Sequence, residues 1–129
     1  MISDEVRTYM ENCEFSKDNM KGHYDEIAGL YDEIYLSAGF YDHIKCSELA
    51  QKLFPDVEKR KNLHIFDMGC GTGLVGEEMQ KNGFENIVGC DVSTGMMEVA
   101  AKKNDGKAYA KVIELYLGQP ERFPDALKG

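Results

Sequence analysis

A chain of 129 residues that is 43% hydrophobic can bury one core, and is too apolar for wholesale disorder. A formal net charge of −8 excludes a broad nucleic-acid footprint, which needs a basic face, so no nucleic-acid partner is expected. Residues 1–20 are polar, with acidic and basic side chains spread through them and no long apolar stretch. Neither a secretory leader nor a membrane span is read there, and a cytoplasmic setting without membrane contact is the expectation.

The four cysteines (Cys13, Cys46, Cys70, Cys90) form no C-x-x-C pair, and His23, His43 and His64 lack metal-ligand spacing. Free thiols and no metal site are therefore expected. At the N-terminus, residues 1–22 read as an arm, with a short helix starting at Ser3-Asp4-Glu5 and reaching Glu11. Residues 23–37 read as one helix, because Ile27, Leu30, Tyr31, Ile34 and Tyr35 share a stripe and Gly39 stops it. Tyr24-Asp25 recurs seven residues later as Tyr31-Asp32, which sets two tyrosines nearly on one face. That pair reads either as core packing or as a lid over the glycine turn described next. A second helix spans 41–54, with Ile44, Leu49, Ala50, Leu53 and Phe54 as its apolar side and Pro55 beyond it. Residues 55–62 read as a charged connector whose Lys59-Arg60-Lys61 faces solvent.

Leu63 to Met68 is a short apolar run interrupted by Asp67, and Gly69-Cys70-Gly71-Thr72-Gly73 follows it directly. The run reads as a buried strand and the glycines as a turn into a helix over 74–81, closed by Asn82-Gly83. A bare backbone turn at a helix N-terminus points unpaired amides outward and forms a site for a polar small molecule. A second strand spans 85–91 and again ends in an acid, Asp91. Ser93 is an N-cap for a helix from Thr94 to Lys103, which Asn104-Asp105-Gly106 ends. A third strand spans 108–117, and Glu121 to Gly129 is a polar tail. Strand, helix, strand, helix, strand is the order of a parallel sheet in an α/β fold.

The turn admits two ligands. Gly71-Thr72-Gly73-Leu74-Val75-Gly76 fits G-x-G-x-x-G, and Asp91 lies about 20 residues on, as for a dinucleotide. Against this, Asp67 would set a carboxylate at the mouth of the turn, where it repels a pyrophosphate and suits an ammonium group. The glycines also begin two residues earlier than the dinucleotide pattern requires.

Taken whole, Asp67-Met68-Gly69-Cys70-Gly71-Thr72-Gly73, with Gly89-Cys90-Asp91-Val92-Ser93 and Met96-Met97-Glu98-Val99-Ala100, closely resembles the class I S-adenosylmethionine-dependent methyltransferases. The tyrosine-rich helix ahead of residue 63 is also similar to that family. The resemblance covers roughly residues 22–120 and makes 23–129 a partial methyltransferase domain. It implies a Rossmann-like fold in its N-terminal half only, a three-stranded parallel sheet of order 3-2-1 with N-terminal helices. It implies S-adenosylmethionine as cofactor, held by Tyr31, Asp67, Gly69, Cys70, Gly71, Gly73, Asp91, Val92 and Met96. Within that set, Asp67 and the glycine backbones take the methionine portion, Asp91 takes the ribose hydroxyls, and Val92 and Met96 pack on the adenine.

The chain departs from the family at the third strand, where Tyr116 or Leu117 stands in place of an acid, and Glu114 serves only with a shifted register. It also stops before the strands that carry the acceptor site, so neither the methyl acceptor nor a catalytic base is read from it; His23 and His43 read as surface or capping residues. A first strand with no fourth strand beside it is an open apolar edge, so a homo-oligomer or a partner subunit is expected there. Same-handed crossovers put both later helices on one face, leaving the other to the N-terminal helices or a partner. A non-catalytic cofactor-binding or scaffold subunit is the alternative reading.

Overall fold

The alternation from residue 63 onward is realised as three parallel strands in one open sheet, order β1-β2-β3. The computed structural model describes residues 3–12 and 19–125; Cys13 and the last four residues of the polar tail lie outside them. Its elements are α1 (Asp4–Asn12), α2 (Met20–Ile27), α3 (Tyr31–Ser37), α4 (Asp42–Leu53), α5 (Val57–Arg60), β1 (His64–Met68), α6 (Leu74–Lys81), β2 (Asn86–Asp91), α7 (Thr94–Gly106) and β3 (Lys111–Glu114). A 3-10 turn at Pro120–Arg122 follows. No helix among the described residues is long and apolar enough to cross a membrane.

Register places Ile65 beside Ile87, and Asp67 beside Gly89, which in turn pairs with Val112. Side chains alternate across a strand, so these residues share one face. That face carries the core: Ile65, Ile87 and Val112 meet Met79 of α6, Ala100 of α7, Ala50 of α4, and Phe84 and Tyr109 from the connections. A second cluster joins Ile27, Ala28 and Met96, with Tyr9, Tyr24, Tyr31 and Val99 against it. Helix α7 thus faces the sheet with Ala100 and the N-terminal helices with Met96.

The single helix expected over 23–37 is two. It breaks at Ala28-Gly29-Leu30, where Gly29 weakens helical continuity and Leu30 N–H turns back onto Ile27 C=O. Helix α1 is more than a polar arm, since its Val6 is fully buried. The third strand is shorter than 108–117 because its partner runs out: Leu115 N–H bonds the carbonyl of Asp91, the last residue of β2. Helix α7 leaves helical geometry at Lys103, and Asn104 and Asp105 take positive φ, where the Asn-Asp-Gly stop was read.

Three further expectations are corrected. The apolar side assigned to α4 is buried only in part. Ala50 packs on the core and Ser47 is buried, whereas Leu49 and Leu53 are 61% and 75% exposed. Arg60 is not a solvated loop residue: it is buried in α5, a short helix capped by the Asp56 carboxylate. Nor do the N-terminal helices cover the second face of the sheet. They pack with α6 and α7, and Phe66 and Met68 of β1 stay 38% and 64% exposed.

Candidate functional site

At the C-terminal ends of the strands lies a cavity of about 560 Å³. Its floor is the glycine turn after β1, represented by Gly69 and Gly71. Both have positive φ (73° and 55°), and no atom lies within 4 Å of where a Cβ would stand. A side chain there would be strained and would fill the cavity, so the bare backbone is what leaves room for a ligand. Asp91 and Val92 enter from the end of β2, and Met96 from the first turn of α7. Tyr24 and Tyr31 close the cavity from α2 and α3, and Leu115 to Gln119 form its remaining wall.

Six of the nine residues picked from the sequence therefore meet around one space: Tyr31, Gly69, Gly71, Asp91, Val92 and Met96. Asp67, Cys70 and Gly73 lie behind it. Gly73 is the N-cap of α6 at φ 89°, and a Cβ there would stand 2.8 Å from the Tyr109 ring and 3.1 Å from Ala100 Cα. Cys70 is buried under the turn with its thiol pushed well above the ordinary range by burial, which makes it an inert packing group. Asp67 Oδ2 accepts a hydrogen bond from the Tyr109 hydroxyl at 2.7 Å. Its Oδ1 accepts none among the described residues. Burial raises the Asp67 pKa, the Tyr109 bond opposes that rise, and the nearby Asp91 charge adds to it.

Asp91 organises the mouth. Its Oδ2 accepts from Gly71 N–H at 3.0 Å and its Oδ1 from Ser93 N–H at 2.9 Å. One carboxylate thus ties the glycine turn to the start of α7, and each oxygen retains a further lone pair. Ser93 caps α7 by accepting from Met96 N–H, and its hydroxyl donates to Asp25 Oδ1 at 2.6 Å. Gly95 N–H also donates to Asp25 Oδ1, and Lys21 pairs with Oδ2 at 2.7 Å. Asp32, the other half of the repeated Tyr-Asp pattern, accepts from the Thr72 hydroxyl and pairs with Lys103. The two aspartates therefore fasten α2 and α3 across the glycine turn and both ends of regular α7. Their tyrosines meet the cavity and the second core cluster at once.

Sequence reading missed Met20, Leu115, Gly118 and Gln119 as cavity residues. Tyr116 and Leu117, read as standing where the family carries an acid, do line it, and Glu114 does not. Neither His23, bonded to Tyr9, nor His43 lines the cavity. Among the described residues no group of His, Cys, Asp or Glu could hold a metal ion, and Cys46, Cys70 and Cys90 are free thiols.

Residues 65–127 match a methyltransferase-domain family. The chain is 32% identical over 107 residues to a demethylmenaquinone methyltransferase of Symbiobacterium thermophilum, covering 78% of this chain and 40% of that protein. It is 29% identical over 113 residues to the corresponding enzyme of Chlorobaculum parvum, covering 86% and 44%. It is 39% identical over 71 residues to a ubiquinone biosynthesis O-methyltransferase of Pelagibacter ubique, covering 53% and 27%. The chain thus spans less than half the length of these curated relatives.

Proposed function

From the premise that this chain is, by resemblance, a methyltransferase, we propose that it binds S-adenosylmethionine in the cavity at the strand ends and serves methyl transfer to an acceptor. The observation that carries this is the pairing of a Cβ-free floor at Gly69 and Gly71 with the Asp91 carboxylate in the same cavity. In this reading Asp91 accepts from the vicinal ribose hydroxyls, forming charge-assisted hydrogen bonds stronger than neutral ones. Val92, Met96 and Leu115 give the base an apolar slot. Asp67 offers Oδ1 to the ammonium group at the other end of the turn. Tyr24 and Tyr31 close over the ligand. When bound, the sulfonium supplies the methyl group and its own driving force; the residues around the cavity contribute alignment.

Calorimetry tests the binding. Wild-type chain is expected to take up S-adenosylmethionine and S-adenosylhomocysteine in preference to NAD. Asp91→Ala should lose at least about ten-fold in affinity, the equivalent of ~1.4 kcal/mol. Absence of binding, or an unchanged affinity in Asp91→Ala, overturns the site.

Turnover is a separate matter. The chain spans 40% and 44% of the two demethylmenaquinone methyltransferases, and no histidine lines its cavity. Those observations favour a second reading, a cofactor-binding part that methylates only together with further polypeptide. The names of the relatives make a quinone-type ring the first acceptor to assay, with and without such a partner.

A further inference from the structure

Resting on the reading of Asp67 as the ammonium anchor, we propose that Tyr109 is the positioning residue for that carboxylate. Its phenol engages one carboxylate oxygen and leaves the other to the ligand. Tyr109 stands at the entry to β3, 42 residues from Asp67, and no local motif connects them. Its ring is buried under the glycine turn. A Cβ at Gly76 would stand 2.2 Å from its Cζ, and one at Gly89 would stand 2.8 Å from its Cε1. With Gly73 these glycines form a slot that only a flat ring fills, which fixes where the hydroxyl points.

The hydroxyl is used twice. It donates to Asp67 Oδ2 at 2.7 Å and accepts from Gly76 N–H at 3.1 Å. Gly76 is the third residue of α6, whose N-cap is Gly73. An N-cap side chain ordinarily satisfies that amide, and glycine has none to offer. Tyr109 supplies the missing acceptor from another strand. The amide in turn polarises the O–H toward the carboxylate, strengthening a charge-assisted bond in a dry setting.

The titratable groups close enough to act on Asp67 define what else sets its charge. They are Tyr109 before β3, Asp91 and Cys90 on β2, Cys70 in the turn and Cys46 on α4. Of these, Tyr109 alone donates a hydrogen bond to the carboxylate. Removing its hydroxyl should raise the protonation midpoint of Asp67 and free the carboxylate to rotate.

Tyr109→Phe keeps the ring in the slot and removes only the hydroxyl. Two readouts decide the matter: the Asp67 ¹³Cγ titration in the unliganded full chain, and calorimetry across pH with S-adenosylmethionine and with 5′-methylthioadenosine, which lacks the amino-acid part. The expected result is an upward shift of the Asp67 midpoint, S-adenosylmethionine affinity lower by about five-fold, and methylthioadenosine affinity unchanged. Asp67→Asn, of the same shape, approaches the pair from its other side and should show the same split. In that background Tyr109→Phe should add nothing further. If wild-type chain binds S-adenosylmethionine but Tyr109→Phe weakens both ligands equally, or neither, the positioning role is overturned while the site stands. If wild-type chain binds neither ligand, the site itself fails and the inference with it.

Discussion

Asp25 is a carboxylate surrounded by donors. The Lys21 ammonium, the Ser93 hydroxyl and the Gly95 amide together hold its pKa down to about 2, against an ordinary 3.8. It also stands at the N-terminus of α7, where negative charge is favoured. A lowered carboxylate pKa contributes stability that is complete above the unfolded value and fades as pH falls through the folded one. The thermal midpoint of wild-type chain should therefore exceed that of Asp25→Asn at pH 7. The gap should close between about pH 4 and pH 2 in a melting series. A gap that persists at pH 2 would mean that Asp25 acts by packing alone. Asp67 has the opposite sign. Burial raises its pKa, so its charged form weighs against the fold, and that cost appears as pH rises through the window above 3.8. The two acids thus act in opposite senses: Asp25 fastens α2 to the start of α7, whereas ionising Asp67 weighs against the fold.

The strands, the glycine turn and the helices after residue 63 were legible because their cues are local: an apolar run, glycines, a serine cap, an Asn-Asp-Gly stop. Their connections were not. Arg60 sits in a run of three basic residues that reads as solvent-facing, yet its guanidinium donates to the carbonyls of Phe54 (2.6 Å), Asn82 (3.0 Å), Gln51 (3.4 Å) and Pro55 (3.3 Å). It also lies 5.5 Å from the centre of the Phe84 ring. Three of those carbonyls follow α4 or belong to its last turns, and the fourth follows α6, so one side chain joins the ends of two helices. No pattern in residues 55–62 announces this, since every acceptor is a backbone group that any sequence carries. Arg60→Met should orphan these carbonyls and cost about 2–3 kcal/mol in denaturant unfolding, with little effect on Lys59→Met or Lys61→Met. Helix α4 misled for a related reason. Its stripe of Leu49 and Leu53 is a genuine pattern of burial, but both residues stay mostly exposed. In the site, the aspartates of the repeated Tyr-Asp pattern reach Ser93 and Thr72 from 68 and 40 residues away, a pairing that spacing along the chain does not encode.

As a whole the molecule is one-sided. Among the described residues, helices cover one face of the sheet, while the other face presents Phe66 and Met68 at its free β1 edge, and α4 presents Leu49 and Leu53. An unpaired apolar edge strand is a template for another chain, and exposed apolar patches of this kind mark association surfaces. We expect the 14.5 kDa chain to run in sizing and light scattering above monomer mass, as a second copy or a partner subunit covers that edge. Met68→Lys and Leu53→Glu should restore the monomer; a sharply monomeric wild-type species that melts cooperatively would count against the assembly. The Tyr109 ring carries a consequence of another kind. The glycine loop looks like a self-sufficient signature, yet its slot is filled from beyond the second crossover. Closing that distance costs chain entropy before any contact rewards it. A segment ending before residue 108 would therefore hold every letter of the fingerprint without the wedge that fills its slot.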